Sequence, residues 1–134
     1  SKDNKCLNVV HDQIGSPTNA NGLAEICWEI IDKSNDLDTR NQIFHWSNSG
    51  IISRYDFAFM IGEVAADLGI IKKAAKVFPV KSSEYKANAD RPFYSVLDCS
   101  NTKDFLKLEQ IYWIDSLKET LIDYRNSIKF NNYW

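Results

Sequence analysis

The sequence predicts an α/β fold of short strands and about three main helices. Three stretches repeat apolar residues at spacings of three and four. Between them lie short runs of bulky residues bounded by glycine, proline and asparagine. A further observation limits the sheet. The 134 residues hold four short extended pieces and no long apolar strand, fewer than a complete doubly wound sheet requires. The chain therefore reads as part of an α/β protein rather than a whole one.

The first extended piece is Leu7 to Val10. It runs into the loop Asp12-Gln13-Ile14-Gly15-Ser16-Pro17-Thr18, marked by Gly15 and Pro17. Asn19 or Asn21 caps a helix over roughly 21–33, whose Leu23, Ile26, Cys27, Ile30 and Ile31 form a face for burial. Asn35 to Asn41 is a polar loop. Ile43 to Trp46 has the bulky residues of a strand, and Ser47 to Gly50 is a turn. Ser53 with Asp56 fits a capping box, with Asp in place of the more usual Glu. The helix it opens carries Phe57, Ile61, Val64 and Leu68 and stops at Gly69. Val77 to Val80 is a strand whose Pro79 implies an edge or an end. Tyr85 to Pro92 is a polar loop, and Tyr94 to Leu97 is extended. A last helix over roughly 111–127 aligns Ile114, Leu117, Leu121 and Tyr124. Asn131 to Trp134 is loose or docked by its aromatics.

Composition excludes several classes. At 44% hydrophobic and 13% aromatic, the chain can bury a core, so disorder is not its main state. Its longest apolar run, Phe57 to Ile61, is far short of a membrane span. A net charge of −2 gives no support to generic nucleic-acid binding. Cys6, Cys27 and Cys99 are odd in number and scattered, which argues against a disulfide framework or a zinc site and for free thiols in a reducing cytoplasm. Ser1 to Lys5 is polar and has no apolar core of a signal peptide. The chain opens on Ser1 and its one methionine is Met60, so processing or excision from a longer chain is expected.

No self-contained catalytic motif is present. The five glycines include no GxG pair, and no GKS/T phosphate loop occurs. No tyrosine is followed four residues later by lysine, and no GxSxG or HExxH appears. His11 beside Asp12 could in principle serve acid–base or metal chemistry, but neighbours on an extended segment point apart. His45 sits in an apolar run and reads as a core or rim histidine. Trp28, Trp46, Trp113 and Trp134 read as core and docking groups. Lys72, Lys73 and Lys76 read as a solvated face. Two features point to binding. The Asp12–Thr18 loop lies where α/β proteins place ligand contacts, with Gly15 permitting close approach and Gln13 and Thr18 offering neutral hydrogen bonds. Arg91, fixed beside Pro92, suits a bidentate grip on phosphate or carboxylate, although a solvated arginine fits the local pattern as well.

Together the loops carry a resemblance. Val9 to Thr18, with Leu23-Ala24, resembles the D-Q-x-G-x-P-T…L-A segment of dTDP-4-dehydrorhamnose reductases, in the extended short-chain dehydrogenase/reductase superfamily. Ile43 to Gly50 and Ser53 to Ala58 resemble that family's YH-x-S-x-x-G…S-W-Y-E-F-A stretch. Val77 to Val80 with Glu84-Tyr85 resembles I-x-P-I…E-Y, and Ala89 to Asp98 resembles A-x-R-P-x-Y-S-x-L-D. Trp113 and Leu117 fit the last helix. Three positions depart: Asn19 replaces an aromatic, Gly22 an Asp, and Arg54 the usual Trp.

The resemblance is confined to the family's carboxyl-terminal part. It implies a partial Rossmann-type fold: the last strands of the cofactor domain and the small sugar-nucleotide domain over residues 1–134. The glycine-rich cofactor loop and the catalytic Ser/Thr, Tyr and Lys would lie in a missing amino-terminal half. The implied parent reaction reduces the 4-keto group of dTDP-6-deoxy-L-lyxo-4-hexulose with NADPH or NADH, giving dTDP-L-rhamnose in the cytoplasm. The chain alone, with no catalytic or cofactor-binding residue, is expected to be inactive. Arg91 would sit near the nucleotide diphosphate, and Gln13, Gly15, Pro17 and Thr18 near the cleft. Two other readings stay open. One is a regulatory module, since the regulatory subunit of methionine adenosyltransferase shares a reductase-like fold. The other is a related nucleotide-sugar epimerase or dehydratase. The strands near 7–10 and 43–46 would also present unpaired edges, so self-association is expected.

Overall fold

The structure, a computed structural model, describes residues 6–34, 42–85 and 89–131. The expectations for 35–41, for 86–88 and for 132–134 lie outside them. Strand β1 (Cys6–Val10) and strand β4 (Lys76–Val80) pair in parallel, from Cys6 opposite Lys76 to Val10 opposite Val80. Both were anticipated within a residue of their bounds. Pro79 stands opposite Val9 and has no N–H to donate, which a strand with a free side tolerates. The ladder continues by one bond, His11 N–H donating to the Val80 carbonyl at 3.0 Å.

A second pair is shorter and antiparallel. Strand β2 (Ile14–Gly15) meets strand β3 (Ile52–Ser53), with Ile14 opposite Ser53. Neither has enough residues to show alternation, so neither was anticipated. The expected strand Ile43–Trp46 is absent: no segment among the described residues pairs with it. Its residues are spent on side-chain packing instead. Phe44 stacks at a tilt on Phe105, 5.1 Å between centroids, and the His45 amide donates to Thr102 Oγ1 at 3.1 Å. His45 itself is exposed, a rim residue rather than a core one. In the expected extended piece 94–97, only Tyr94 bridges to another segment, at Ile14.

Helix α1 (Ala20–Ser34) is capped by Asn19, whose Oδ1 accepts the Gly22 N–H at 2.8 Å. Of its five anticipated core residues only Ile26 is buried. Leu23 is 41% exposed and Ile31 49%, and Trp28 is 66% exposed rather than a core group. Helical periodicity reports a face that needs cover; it does not say that the same chain supplies it.

Helix α2 (Arg54–Asp67) begins at Ser53, whose hydroxyl accepts the Asp56 N–H at 3.0 Å. Asp56, one methylene shorter than Glu, accepts from that hydroxyl at 2.6 Å rather than from the Ser53 backbone. Gly69 ends the run with φ +68°. Helix α4 (Trp113–Asn131) lies across α2, and Val64, Trp113 and Leu117 form the buried core with Phe57, Met60, Ile61, Leu68, Ile114 and Leu121 around it. Phe57 meets Trp113 edge-on at 5.9 Å. Tyr124, expected on this face, is 55% exposed. Helix α4 starts two residues later than expected because Ile111 and Trp113 are tied to Ser49: the Ile111 carbonyl accepts from its N–H and the Trp113 N–H donates to its carbonyl.

A further helix, α3 (Ser100–Leu106), was not anticipated. Asp98 accepts the Ser100 N–H and hydroxyl, and these two bonds hold its carboxyl below the usual carboxylate range. Lys33 of α1 closes the other end, its Nζ donating to the Leu106 carbonyl at 2.6 Å. Cys6 and Cys27 are exposed and Cys99 is buried; all three are free thiols.

Candidate functional site

Residues 13–18 follow β1, and within them β2 pairs with β3. Ile14 is bonded on both sides. Its N–H donates to the Phe93 carbonyl at 2.8 Å, and its carbonyl accepts the Ser95 N–H at 2.9 Å. The approach at Gly15 is close: a Cβ there would stand 3.0 Å from Ser95 Oγ, which would have to turn aside. Those bonds carry the Arg91–Pro92 loop to the side of Gln13 and Gly15. On the other side the Arg54 N–H donates to the Gln13 carbonyl at 3.1 Å, which brings the start of α2 to the same place.

The result is a cleft of about 470 Å³ lined by Gln13, Gly15, Pro17, Arg54, Arg91 and Ser95, among others. Four of the five site residues named from the sequence therefore converge. Thr18 does not join them. Its hydroxyl donates to the Ser16 carbonyl and accepts the Asn48 N–H, both at 3.1 Å, and it faces a neighbouring cavity instead.

Arg54 was missed as a site residue. Its signal was present, as a departure from the pattern of the resembled family. The cleft's charged lining residues are Arg54 and Arg91, and no carboxylate lines it. Both arginines are exposed, and both also line a smaller cavity of about 210 Å³ with Tyr85. Two guanidiniums without a lining carboxylate favour an anion with several oxygens, a diphosphate or a carboxylate.

Polar bonds tie the start of this loop to the turn at Ser82. Asp12 accepts the Ser82 hydroxyl at 2.7 Å and the Ser82 N–H at 2.9 Å, and these bonds hold its carboxyl below the usual carboxylate range. Gln13 Nε2 donates to Ser82 Oγ at 3.0 Å. Asp12 thus anchors the single turn Ser82–Glu84 rather than pairing with His11 for catalysis. Among the described residues, no group of three His, Cys, Asp or Glu is placed to hold a metal ion. No helix there is long and apolar enough to cross a membrane.

A family model described as the RmlD substrate binding domain matches residues 1–126. The chain belongs to this family. A dTDP-4-dehydrorhamnose reductase of Aggregatibacter actinomycetemcomitans is 29% identical over 119 residues, 88% of this chain and 40% of that protein. The spore coat polysaccharide biosynthesis protein SpsK of Bacillus subtilis is 35% identical over 115 residues, 86% of this chain and 36% of that protein. Among solved structures, a dTDP-4-dehydrorhamnose reductase of Clostridium acetobutylicum superposes with a TM-score of 0.75 at 34% identity, over 93% of this chain and 40% of that one. The Bacillus anthracis reductase, in complex with NADP, gives 0.74 at 28%, over 91% and 40%. This RmlD-type chain thus spans about two fifths of the length of the relatives it matches.

Proposed function

We propose that the chain is the sugar-nucleotide-binding portion of a dTDP-4-dehydrorhamnose reductase. The observation that carries this is the paired-arginine cleft, lying within the segment matched by the substrate binding domain family. In this reading Arg91 and Arg54 take the diphosphate of the substrate, and Gln13 and the Gly15 backbone line its path. The whole protein reduces the 4-keto group of dTDP-6-deoxy-L-lyxo-4-hexulose with a reduced nicotinamide cofactor.

The residues present do not fit the cofactor's own site. Gly15 lies in a strand pair, Gly22 and Gly62 within helices, and Gly50 and Gly69 at isolated turns, so none builds a phosphate-cradling loop. NADP or NAD and the proton donor then belong to the remainder of the parent. The role of this chain is to bind and orient, and alone it turns nothing over. The same reading accounts for a parallel strand pair with open sides, since parallel sheets are ordinarily covered on both faces. The missing half covers it, in a soluble cytoplasmic enzyme.

Calorimetric titration of this chain with dTDP tests the reading. Binding is expected, with affinity falling about tenfold in Arg91→Ala. A folded chain that takes up no dTDP at millimolar concentration would overturn it.

A further inference from the structure

Ser82 stands between a carboxylate and an amide. The ionised Asp12 carboxylate can only accept, so the Ser82 hydroxyl gives its one proton to Asp12 Oδ1, at 2.7 Å. The Ser82 N–H donates to Asp12 Oδ2 at 2.9 Å and fixes the carboxylate on the same residue. What the hydroxyl still has for Gln13, 3.0 Å away, is a lone pair, and Nε2 is the end of the glutamine amide that can use it. The two ends of an amide are alike in shape and opposite in polarity, so such a chain of bonds decides which end faces outward. Oε1 is thereby turned from Ser82, and among the described residues nothing donates to it. Gln13 lines three cavities, of about 470, 360 and 210 Å³, and Arg91 lines all three with it.

We propose that Asp12 and Ser82 are positioning residues, which hold the Gln13 amide with its oxygen toward the arginine cleft and so select a ligand carrying a hydroxyl beside its diphosphate. The inference rests on the nucleotide-sugar reading, in which the arginines take the diphosphate. A guanidinium can only donate. A ligand hydroxyl that accepts from one still has its own proton to place, and Gln13 Oε1 takes it. Pyrophosphate has only acceptors to offer and gains nothing from Oε1. With the amide turned the other way, Gln13 would be a further donor beside the guanidiniums, and the site would hold phosphates without regard to what they carry. A nucleotide sugar has alcohols on both sides of its diphosphate, on the pentose and on the glycosyl group, and the chemistry at Oε1 is the same for either.

Asp12→Asn is nearly isosteric and inverts the relay. Its Nδ2 donates to Ser82 Oγ, the hydroxyl proton turns to Gln13, and the amide flips. In the ligand-free chain, NMR is expected to show an Overhauser contact between the Gln13 side-chain amide protons and the Ser82 β-protons, lost in Asp12→Asn. Calorimetric titrations with pyrophosphate, dTDP and dTDP-glucose read the consequence. In Asp12→Asn the affinity for dTDP-glucose is expected to fall about fivefold, the loss of one neutral hydrogen bond, with pyrophosphate bound no more weakly. An equal fall for dTDP assigns the hydroxyl to the pentose, and no fall for dTDP assigns it to the glycosyl group. Ser82→Ala should lose the same selectivity and Ser82→Thr, which keeps the hydroxyl, should retain it; this pair carries the test should Asp12→Asn fail to fold. A loss equal for all three ligands would make Asp12 and Ser82 structural only and overturn the inference. Unchanged affinity for all three would overturn it too, as would an Overhauser contact that persists in Asp12→Asn. Pyrophosphate binding lost in Arg91→Ala would keep the wider reading standing in either case.

Discussion

The Arg54 N–H donates to the Gln13 carbonyl at 3.1 Å, so the first residue of α2 is pinned to the loop that follows β1. That bond places a guanidinium at the cleft where the resembled family has an indole. A guanidinium there carries a positive charge that an indole lacks.

Arg54→Gln is expected to weaken pyrophosphate binding about tenfold and to flatten its dependence on salt, since one of two screened charges is gone. Titrations at low and at moderate ionic strength check this. Equal salt dependence in the variant and the parent would remove Arg54 from the site.

Gly50 and Gly69 both have positive φ, of 89° and 68°. They differ in their surroundings. A Cβ at Gly50 would strike the Tyr112 and Trp113 rings, whereas one at Gly69 meets nothing within 4 Å. Gly69→Ala should therefore cost only the left-handed conformation, about 1 kcal/mol, and Gly50→Ala at least ~2 kcal/mol. Urea unfolding of the two variants decides it; equal losses would mean that the Tyr112 and Trp113 rings yield freely.

The Asp12 carboxyl is held below its usual range by Ser82. A depressed carboxylate stabilises the fold above its unfolded value and loses that contribution as pH falls through the folded one. The tie between the loop after β1 and the turn at Ser82 should hold at neutral pH and release well below about pH 4. The Ser82 amide should then lose protection relative to its intrinsic exchange rate in acid, and Asp12→Asn should remove that step. An Asp12 carboxyl that titrates at its ordinary value by NMR would contradict this.

Leu23, Cys27 and Ile31 form an exposed stripe on α1 beside Trp28. With the open sides of β1 and β4, this stripe should drive self-association of the isolated chain. Leu23→Lys with Trp28→Glu is expected to lower the weight-average mass in sedimentation equilibrium. A chain that is monomeric at all concentrations before mutation would rule the stripe out.

Much of this was legible in the sequence where side chains repeat over several turns. Phe57, Ile61, Val64 and Leu68 identified α2, and Ile114, Leu117 and Leu121 identified α4, because those faces pack within the chain. The face of α1 was legible only as a stripe, since the described residues leave Leu23, Cys27 and Ile31 exposed. Ile43 to Trp46 misled because bulky residues fit a helix groove as well as a pleat. Helix α3 offered only seven residues, too few for a period to emerge. Gln13, Gly15, Pro17 and Arg91 stood out because loops with Gly and Pro announce themselves, and the structure brings these four to one cleft. Asn48 did not, as its unmet donor is a property of packing and no linear pattern encodes it.

The register of β1 on β4 also sets a schedule. Cys6 finds its partner at Lys76, seventy residues later. At synthesis rates of about 5–20 residues per second, β1 emerges from the ribosome roughly 4–14 seconds before β4 exists to receive it. Through that interval its backbone donors and acceptors are open to any other strand. That is the interval in which mispairing of β1 is easiest, and it closes once Val80 has been made.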